Sequence, residues 1–344
     1  MNLDFQNIQL VPLASALPRV SARLSMKDHL GTVRVRMGIR RDAYRVDPGL
    51  YAIGQPTSVS DVFVTANYKL SFDTLRKNLD GVDGWILVLD TKGINVWCAA
   101  GKRTFGTAEL IRQINLTSLD KIVSHKRLIL PQLGASGISA HKVREASGFS
   151  VIYGPVRASD IRAFVSSGYR ATKEMRRVHF GFTDRMILIP NDFIYGKTYL
   201  LAGMALILLL SGLNTSGLSL QRMLDSGPGM MMNVVYAYIS GIVLTPMMLP
   251  WIPGRPFALK GFFAGFGLSL LLLVFHRLGN NYYETAAWFL VITGLSSFLA
   301  MNFTGSSTYT SLSGVKKEMK VAVPLQVIFA VTGLVLMMIG RMKV

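Results

Sequence analysis

Runs of hydrophobic residues divide the chain into two parts with different patterns. Between about residues 48 and 192, short apolar runs alternate with amphipathic stretches. The short runs predict β-strands at 62–64, 85–89, 128–131 and 150–153, with a last apolar run at 186–189. The stretches between them predict helices at 71–79, 107–114, 141–146 and 158–166, the first capped by Ser71 or Asp73. Strands that alternate with helices predict an α/β, doubly wound (Rossmann-like) domain with a parallel sheet.

The C-terminal part, residues 193–344, consists of long apolar runs. Each is close to the roughly 20 residues that span a hydrocarbon core. The five runs are Phe193–Leu213, Met230–Trp251, Phe257–Phe275, Ala286–Phe303 and Val321–Gly340. They predict an all-α transmembrane domain of five helices, with Lys197 and Lys260 near helix ends, from which they can reach the headgroups. Five buried helices of a large soluble protein are the alternative.

Composition and charge agree with this division. Of 344 residues, 50% are hydrophobic and 16% charged, which excludes a disordered chain and argues against an ordinary soluble domain. The net charge is +18, yet only Asp225, Glu284 and Glu318 are acidic after residue 197. Basic loops favour a multi-pass protein of the cytoplasmic (inner) membrane, with its N-terminal domain in the cytoplasm. Residues 1–47 are expected to form a basic, extended arm for an acidic partner or anionic lipid, or else a solvated strand, and no nucleic-acid partner is expected.

The sequence contains one cysteine, Cys98, within the stretch Asn95–Lys102 (NVWCAAGK). One thiol excludes an internal disulfide and a cysteine-ligated zinc or iron–sulfur site built from this chain alone. The stretch follows the strand 85–89, at the edge where ligands of doubly wound sheets bind. Small neighbours around a polarisable thiol would admit a large flat ligand. The alternatives are a buried structural cysteine and a Cys–His pair; a phosphate-binding loop fails, because Val96 replaces its first glycine and Arg103 its Ser or Thr.

These eight residues resemble the cap-helix motif of the mercury-methylating corrinoid proteins. The layout, a soluble domain before about five spans, is similar too. Residues 50–190 also resemble the corrinoid domain of the corrinoid iron–sulfur proteins of acetyl-CoA metabolism, chiefly at 64–68, 87–91 and 131–134. The second group does not offer a cysteine at position 98, which favours the mercury interpretation.

The resemblance implies a corrinoid of the base-off, cobalamin type, with Cys98 as lower axial ligand of its cobalt. Residues of the presenting helix are implied as cofactor contacts: Asn95, Val96, Trp97, Ala99, Ala100, Gly101 and Lys102. Further contacts are expected along the sheet edge: Thr65, Asn67, Gly134, Ser136, Gly137 and Gly154. A thiolate opposite the methyl group would favour its departure as a carbanion equivalent, which an electrophile such as Hg(II) requires.

The same resemblance implies partners. A methyltetrahydrofolate-linked pathway would supply the methyl group, and a ferredoxin-like protein with two 4Fe–4S clusters would re-reduce the cobalt. The expected activity is methyl transfer to inorganic Hg(II), giving methylmercury. One alternative is a membrane-anchored corrinoid methyl carrier of one-carbon metabolism. Another is a membrane transporter with a cytoplasmic nucleotide-binding domain.

Overall fold

The computed structural model describes residues 17–306 and 312–343, which belong to two compact units. The first unit extends to Val178 and the second begins at His179, with Arg36–Gly38 grouped with the second. The first unit is built on a six-stranded sheet in the order β1-β2-β4-β3-β5-β6. Its strands are β1 (Arg19–Val20), β2 (Gly49–Ile53), β3 (Val62–Ala66), β4 (Gly84–Leu89), β5 (Arg127–Leu130) and β6 (Ser150–Tyr153).

Strands β3 to β6 run parallel, as the apolar runs predict. Every residue of β3 and β4 is buried, because both faces of the sheet are covered. Side chains alternate between the faces: Val64 joins one hydrophobic cluster, and the adjacent Phe63 joins the other. The helices of this unit are Met26–Arg36, Lys69–Asn78, Val96–Gly101, Thr107–Leu116, Leu119–Ile122, Ala140–Ser147 and Ile161–Ser166.

The expected all-parallel sheet is corrected to a mixed one. β2 pairs antiparallel with β4, with Leu50 opposite Leu87, and β1 pairs parallel with β2. The expectation of an extended arm over residues 1–47 is wrong for the part that the structure describes, because Met26–Arg36 is helical.

A partly buried ionic cluster holds that helix. The Asp28 carboxylate accepts hydrogen bonds from Lys69 Nζ at 2.6 Å and from Arg76 Nη2 at 2.8 Å. Asp73 bonds the same two cations, so it does not cap its helix; the cap position is Tyr68, without a side-chain bond.

The second unit contains five helices, within the described residues, that are long and apolar enough to cross a membrane. They are Phe182–Ser211, Leu220–Met248, Phe257–Val274, Tyr282–Phe303 and Ser313–Met342. All five match predicted runs, but most begin earlier than expected. The apolar run 186–189 is therefore part of the first long helix, which continues through Pro190.

Small residues let two of these helices pack closely. A Cβ on Gly261 would lie 2.6 Å from the Ser296 carbonyl oxygen, and one on Gly265 would lie 2.9 Å from the Thr293 Cα. Lys260 does not reach toward headgroups as expected; it is buried, and its ammonium donates to the Leu249 carbonyl at 2.7 Å. It thereby satisfies a free carbonyl at the end of the preceding helix.

A second buried charge lies at the other end of these helices. Arg341 Nη1 donates to Glu284 Oε1 at 3.3 Å and to Ser226 Oγ at 3.2 Å, and both members of the ion pair are buried. Arg341 also bonds the Ser211 carbonyl. The pair therefore connects four of the five helices.

Candidate functional site

The strand order places a crevice between β3 and β5. The chain passes from β3 to β4 on one side, and β5 then pairs on the other side of β3. Such a reversal separates the loops at the carboxyl ends of the strands, where ligands of open α/β sheets bind. A cavity of about 400 Å³ opens there, with mainly apolar walls. Its walls include Phe63, Thr65, Leu70, Ser71, Thr74, Asn95, Val96, Trp97, Pro131, Leu133, Gly154, Pro155 and Val156.

The helix Val96–Gly101, called the cap helix below, begins beside this cavity. Asn95 is its N-cap residue, and the Asn95 side chain accepts a hydrogen bond from the Cys98 N–H at 2.9 Å. Ala99 and Ala100 are buried in the core, whereas Trp97 and Cys98 are exposed. The local sequence thus anchors one face of a short helix with methyl groups and leaves its only thiol on the other face.

Two predicted cofactor contacts, Gly134 and Gly137, pack instead against the cap helix and the turn that follows it. A Cβ on Gly137 would lie 2.1 Å from the Phe105 carbonyl oxygen and 3.0 Å from the Ala100 Cα. A Cβ on Gly134 would lie 2.5 Å from the Phe105 ring. Neither residue lines the cavity, so their structural role is to let the cap helix and its following turn approach the sheet closely.

Asn67 also acts through the loop before the cap helix. It is buried, and its Oδ1 accepts hydrogen bonds from the Thr91 N–H, the Thr91 hydroxyl and the Gly93 N–H, all between 2.9 and 3.1 Å. Its Nδ2 donates to Asp90 at 3.2 Å. These bonds occupy the amide group and fix the path of residues 90–93 into Asn95.

Two carboxylates strengthen this loop. Glu109 accepts hydrogen bonds from the Asp90 N–H at 2.8 Å, from Arg112 and from Gln113. Burial would raise the pKa of Glu109, but bonds from Arg112 and Gln113 outweigh it and hold that pKa below its usual value. Burial would likewise raise the pKa of Asp90, but hydrogen bonds from Lys92 outweigh burial and hold that pKa below its usual value. Both groups are therefore ionised at neutral pH.

The predicted contacts fall into three sets. Thr65, Asn95, Val96, Trp97 and Gly154 line the cavity. Asn67, Ala99, Ala100, Gly134 and Gly137 support the cap helix or the loop before it. Cys98, Gly101, Lys102 and Ser136 are outside the cavity lining and lie on the surface.

Sequence reasoning missed the wall formed by the helix Lys69–Asn78. Leu70, Ser71 and Thr74 line the cavity from that helix. Their spacing of three to four residues marks one helix face, which is the signal that could have indicated them. Among the residues that the structure describes, no group of three His, Cys, Asp or Glu side chains could hold a metal ion.

Comparisons with known proteins agree with an α/β domain in the first unit. Residues 25–165 match the protein family described as CO dehydrogenase/acetyl-CoA synthase delta subunit. Apart from Arg36–Gly38, the matched residues belong to the first unit, and the match ends before the long apolar helices.

Three curated relatives illustrate the similarity. The acetyl-CoA decarbonylase/synthase complex subunit gamma of Archaeoglobus fulgidus is 29% identical over 143 residues, covering 40% of this chain and 30% of the relative. The subunit gamma of Methanopyrus kandleri is 32% identical over 128 residues, covering 36% and 27%. The corrinoid/iron–sulfur protein large subunit of Moorella thermoacetica is 30% identical over 122 residues, covering 35% and 27%.

This chain spans less than a third of the length of these relatives. The expected relation to the corrinoid proteins of acetyl-CoA metabolism is confirmed for the first unit.

Proposed function

We propose that this protein is a membrane-anchored corrinoid protein that carries and transfers a methyl group. The observation that carries the proposal is the exposed Cys98 on a cap helix at the switch point of the sheet, beside an apolar cavity. The similarity to a corrinoid/iron–sulfur protein large subunit supports the choice of cofactor.

The residues around Cys98 fit such a group. A macrocycle needs an open, flat approach to the ligating atom, and Cys98 is followed by two buried alanines. A Cβ on Gly101 would meet nothing within 4 Å, so the turn after the cap helix adds no obstruction. A lone thiol also suits a metal that takes its other ligands from the macrocycle, because the described residues supply no multi-residue metal site.

The roles of the chain follow from this arrangement. When bound, the corrinoid would supply the transferable methyl group. Cys98 would hold the cobalt through its thiolate, and Asn95 would position the thiol by holding the Cys98 backbone. Trp97 and Val96, together with Thr65 and Gly154, would shield the cofactor from water at the cavity mouth.

Two methyl acceptors are candidates. The relatives favour a methyl carrier of the acetyl-CoA pathway type, since those named here are subunits of that pathway's complex or a corrinoid/iron–sulfur protein. Cys98 favours inorganic Hg(II), because a strong axial donor assists release of the methyl group with its electron pair, and only an electrophile can accept it in that form. The octapeptide around Cys98 supports this second candidate, so we propose Hg(II) as the acceptor and the pathway carrier as the alternative.

The proposal includes protein partners. A methyl group that arrives as a cation equivalent and leaves with its electron pair consumes two electrons in each turnover, and a ferredoxin-like protein with two 4Fe–4S clusters would supply them. A methyltetrahydrofolate-linked donor would restore the methyl group. The basic residues of the first unit would attract an acidic electron carrier.

The test compares the full chain with Cys98→Ala and with Lys142→Gln as a control, because Lys142 is exposed in the same unit but lies outside both the octapeptide and the cavity lining. Corrinoid content and cobalt spectra would be measured on purified protein, and methylmercury formation in cells that lack the native protein. We expect the wild type to carry a sulfur-ligated corrinoid, and Cys98→Ala to retain the fold while losing the sulfur signature and methylmercury formation.

Each proposal has its own contrary result. A wild type without a corrinoid spectrum would contradict the whole assignment and favour a transporter with a nucleotide-binding domain. A corrinoid protein that methylates a one-carbon acceptor but not Hg(II) would support the pathway carrier. Full mercury methylation by Cys98→Ala would contradict the role of the thiol.

A further inference from the structure

A second cavity, of about 670 Å³, lies in the second unit, between the last three of its five long helices. This cavity, called the lipid cleft below, is lined by Arg255, Pro256, Ala258, Leu259, Phe262, Gly294, Ser297, Gly314, Lys317, Glu318, Val321, Ala322, Leu325, Gln326 and Phe329. It belongs to a different unit from the cap helix and does not depend on the function proposed above.

The charges of the cleft are concentrated at one end. Arg255 precedes the helix Phe257–Val274, and Lys317 lies near the start of the helix Ser313–Met342; both are exposed. Glu318 lies beside them, but its carboxylate accepts a hydrogen bond from the Ala258 N–H and thus occupies a free donor of the helix N-terminus. Among the residues that the structure describes, neither Arg255 nor Lys317 forms an ion pair, so the mouth presents two cations without an acidic partner.

The rest of the cleft is mainly apolar, apart from Ser297 and Gln326, and the Gln326 Oε1 atom is buried without a hydrogen-bond partner in the described part of the chain. Gln326 lies nine residues beyond Lys317, about 13 Å further along a helix that rises about 1.5 Å per residue. Leu259, Phe262, Val321, Leu325 and Phe329 line the cleft. Gln326 donates to Ser297 Oγ at 2.8 Å, and Ser297 in turn donates to the Ala258 carbonyl, so those polar groups bond to each other.

The cleft is open toward the surrounding bilayer. Leu259, Val321 and Leu325 are 39%, 66% and 52% exposed, although all three are large and apolar. In a membrane such side chains face acyl chains, so the occupant must itself be an amphiphile with an apolar chain. The two cations at the mouth require that its head carry negative charge.

We infer that the lipid cleft binds an anionic phospholipid, with the phosphate at Arg255 and Lys317 and an acyl chain along Leu259, Val321 and Leu325. Bound lipid would fill the gap between the three helices that line the cleft. It would thereby stabilise the packing of the last helix against its neighbours.

The experiment measures lipid retention by the full chain, purified in detergent, using native mass spectrometry. Phosphatidylglycerol and phosphatidylcholine with identical acyl chains would be added separately. We expect preferential retention of phosphatidylglycerol, reduced about fivefold for each cation removed in Arg255→Gln and Lys317→Gln. Lys316→Gln is the matched control, because Lys316 is exposed on the same helix but does not line the cleft.

A second variant tests the apolar part. Ala322→Phe would place a ring in the cleft and reduce retention of both lipids, whereas the two charge variants reduce only that of phosphatidylglycerol. Equal retention of the two lipids by the wild type would overturn the proposal. An equal loss in Lys316→Gln and Lys317→Gln would overturn it as well, because retention would then reflect overall charge. The charge variants alter exposed side chains and keep the test valid even if Ala322→Phe fails to fold.

Discussion

The Asn95 side-chain oxygen lies 2.9 Å from the backbone nitrogen of Cys98, so the first and fourth residues of the octapeptide are joined by one hydrogen bond. A cap helix of six residues has few backbone bonds of its own, so this cap adds to the stability that the buried Ala99 and Ala100 provide. The bond uses the backbone of residue 98, so the cap requires the side chain of Asn95 but not the thiol of Cys98.

The first prediction concerns this cap. Asn95→Ala should destabilise the cap helix by about 1 kcal/mol, the usual cost of losing a side-chain N-cap. Hydrogen exchange of the amides of residues 97–101 would show faster exchange, and Asn95→Asp should restore protection because its carboxylate can accept the same bond. Unchanged exchange in Asn95→Ala would contradict a role in fixing Cys98.

The second prediction separates two glycines of the site. Gly137→Ala would push a methyl group into the Phe105 carbonyl and the Ala100 backbone, so we expect a loss of about 1–3 kcal/mol in the free energy of unfolding. Gly101→Ala is the control, because its new methyl group meets nothing within 4 Å and alanine favours a helix. Thermal unfolding of the purified full chain would measure both, and equal effects would contradict the close approach at Gly137.

The third prediction is a pH dependence from Asp28. Burial alone would raise its pKa, but hydrogen bonds from Lys69, Ser25 and Arg76 outweigh burial and lower the pKa below its ordinary value of 3.8. A carboxyl whose folded pKa is depressed stabilises the fold above its unfolded pKa, and this contribution is lost as the pH falls through 3.8 toward the folded value. Burial would lower the pKa values of Lys69 and Arg76, but hydrogen bonds from Asp28 and Asp73 outweigh burial and raise both pKa values. Both cations therefore remain charged throughout this range.

Urea unfolding at pH 7 and at decreasing pH would measure this effect. We expect Asp28→Asn to lower stability at pH 7 and to remove part of the acid dependence. Asp80→Asn is the control, because Asp80 is exposed and faces Arg162 only at 3.9 Å. A wild-type acid profile retained in full by Asp28→Asn would show that the ionic cluster does not hold the helix Met26–Arg36.

The fourth prediction concerns the buried pair Glu284–Arg341. Glu284→Gln would leave the Arg341 guanidinium buried without its carboxylate, which usually costs about 3–5 kcal/mol. The double variant Glu284→Gln/Arg341→Met should lose less than Glu284→Gln alone, because no charge then remains buried. Asp225→Asn, at an exposed residue of the same unit, should change thermal stability little. A double variant as unstable as the single one would contradict this account.

The sequence was most informative where apolar runs are continuous. Strands β3 and β4 were predictable because all of their residues are buried. The five long helices were predictable because each contains a run that is long and apolar enough to cross a membrane. Strand β2 was not predicted, since Gly49–Ile53 is short and its antiparallel pairing with β4 depends on partners distant in sequence. Pro190 concealed the start of the first long helix, although a helix supported by its surroundings can contain a proline.

In the candidate site, too, the sequence indicated some residues and missed those whose position depends on contacts distant in sequence. The octapeptide indicated Cys98 because a thiol among small residues after a buried strand is an uncommon pattern. It could not indicate Ser71 and Thr74, whose place at the cavity depends on how their helix lies against the sheet. It also could not show that Gly134, Gly137 and Asn67 support the cap helix from beneath, because that role depends on contacts across the fold.

The solitary exposed thiol has a practical consequence. Because the whole chain contains one cysteine and it lies on the surface, a maleimide reagent would modify a single position without any engineering. The rate of that modification would report whether a ligand is bound: a molecule bound over the cap helix would slow labelling, and its dissociation would restore the original rate.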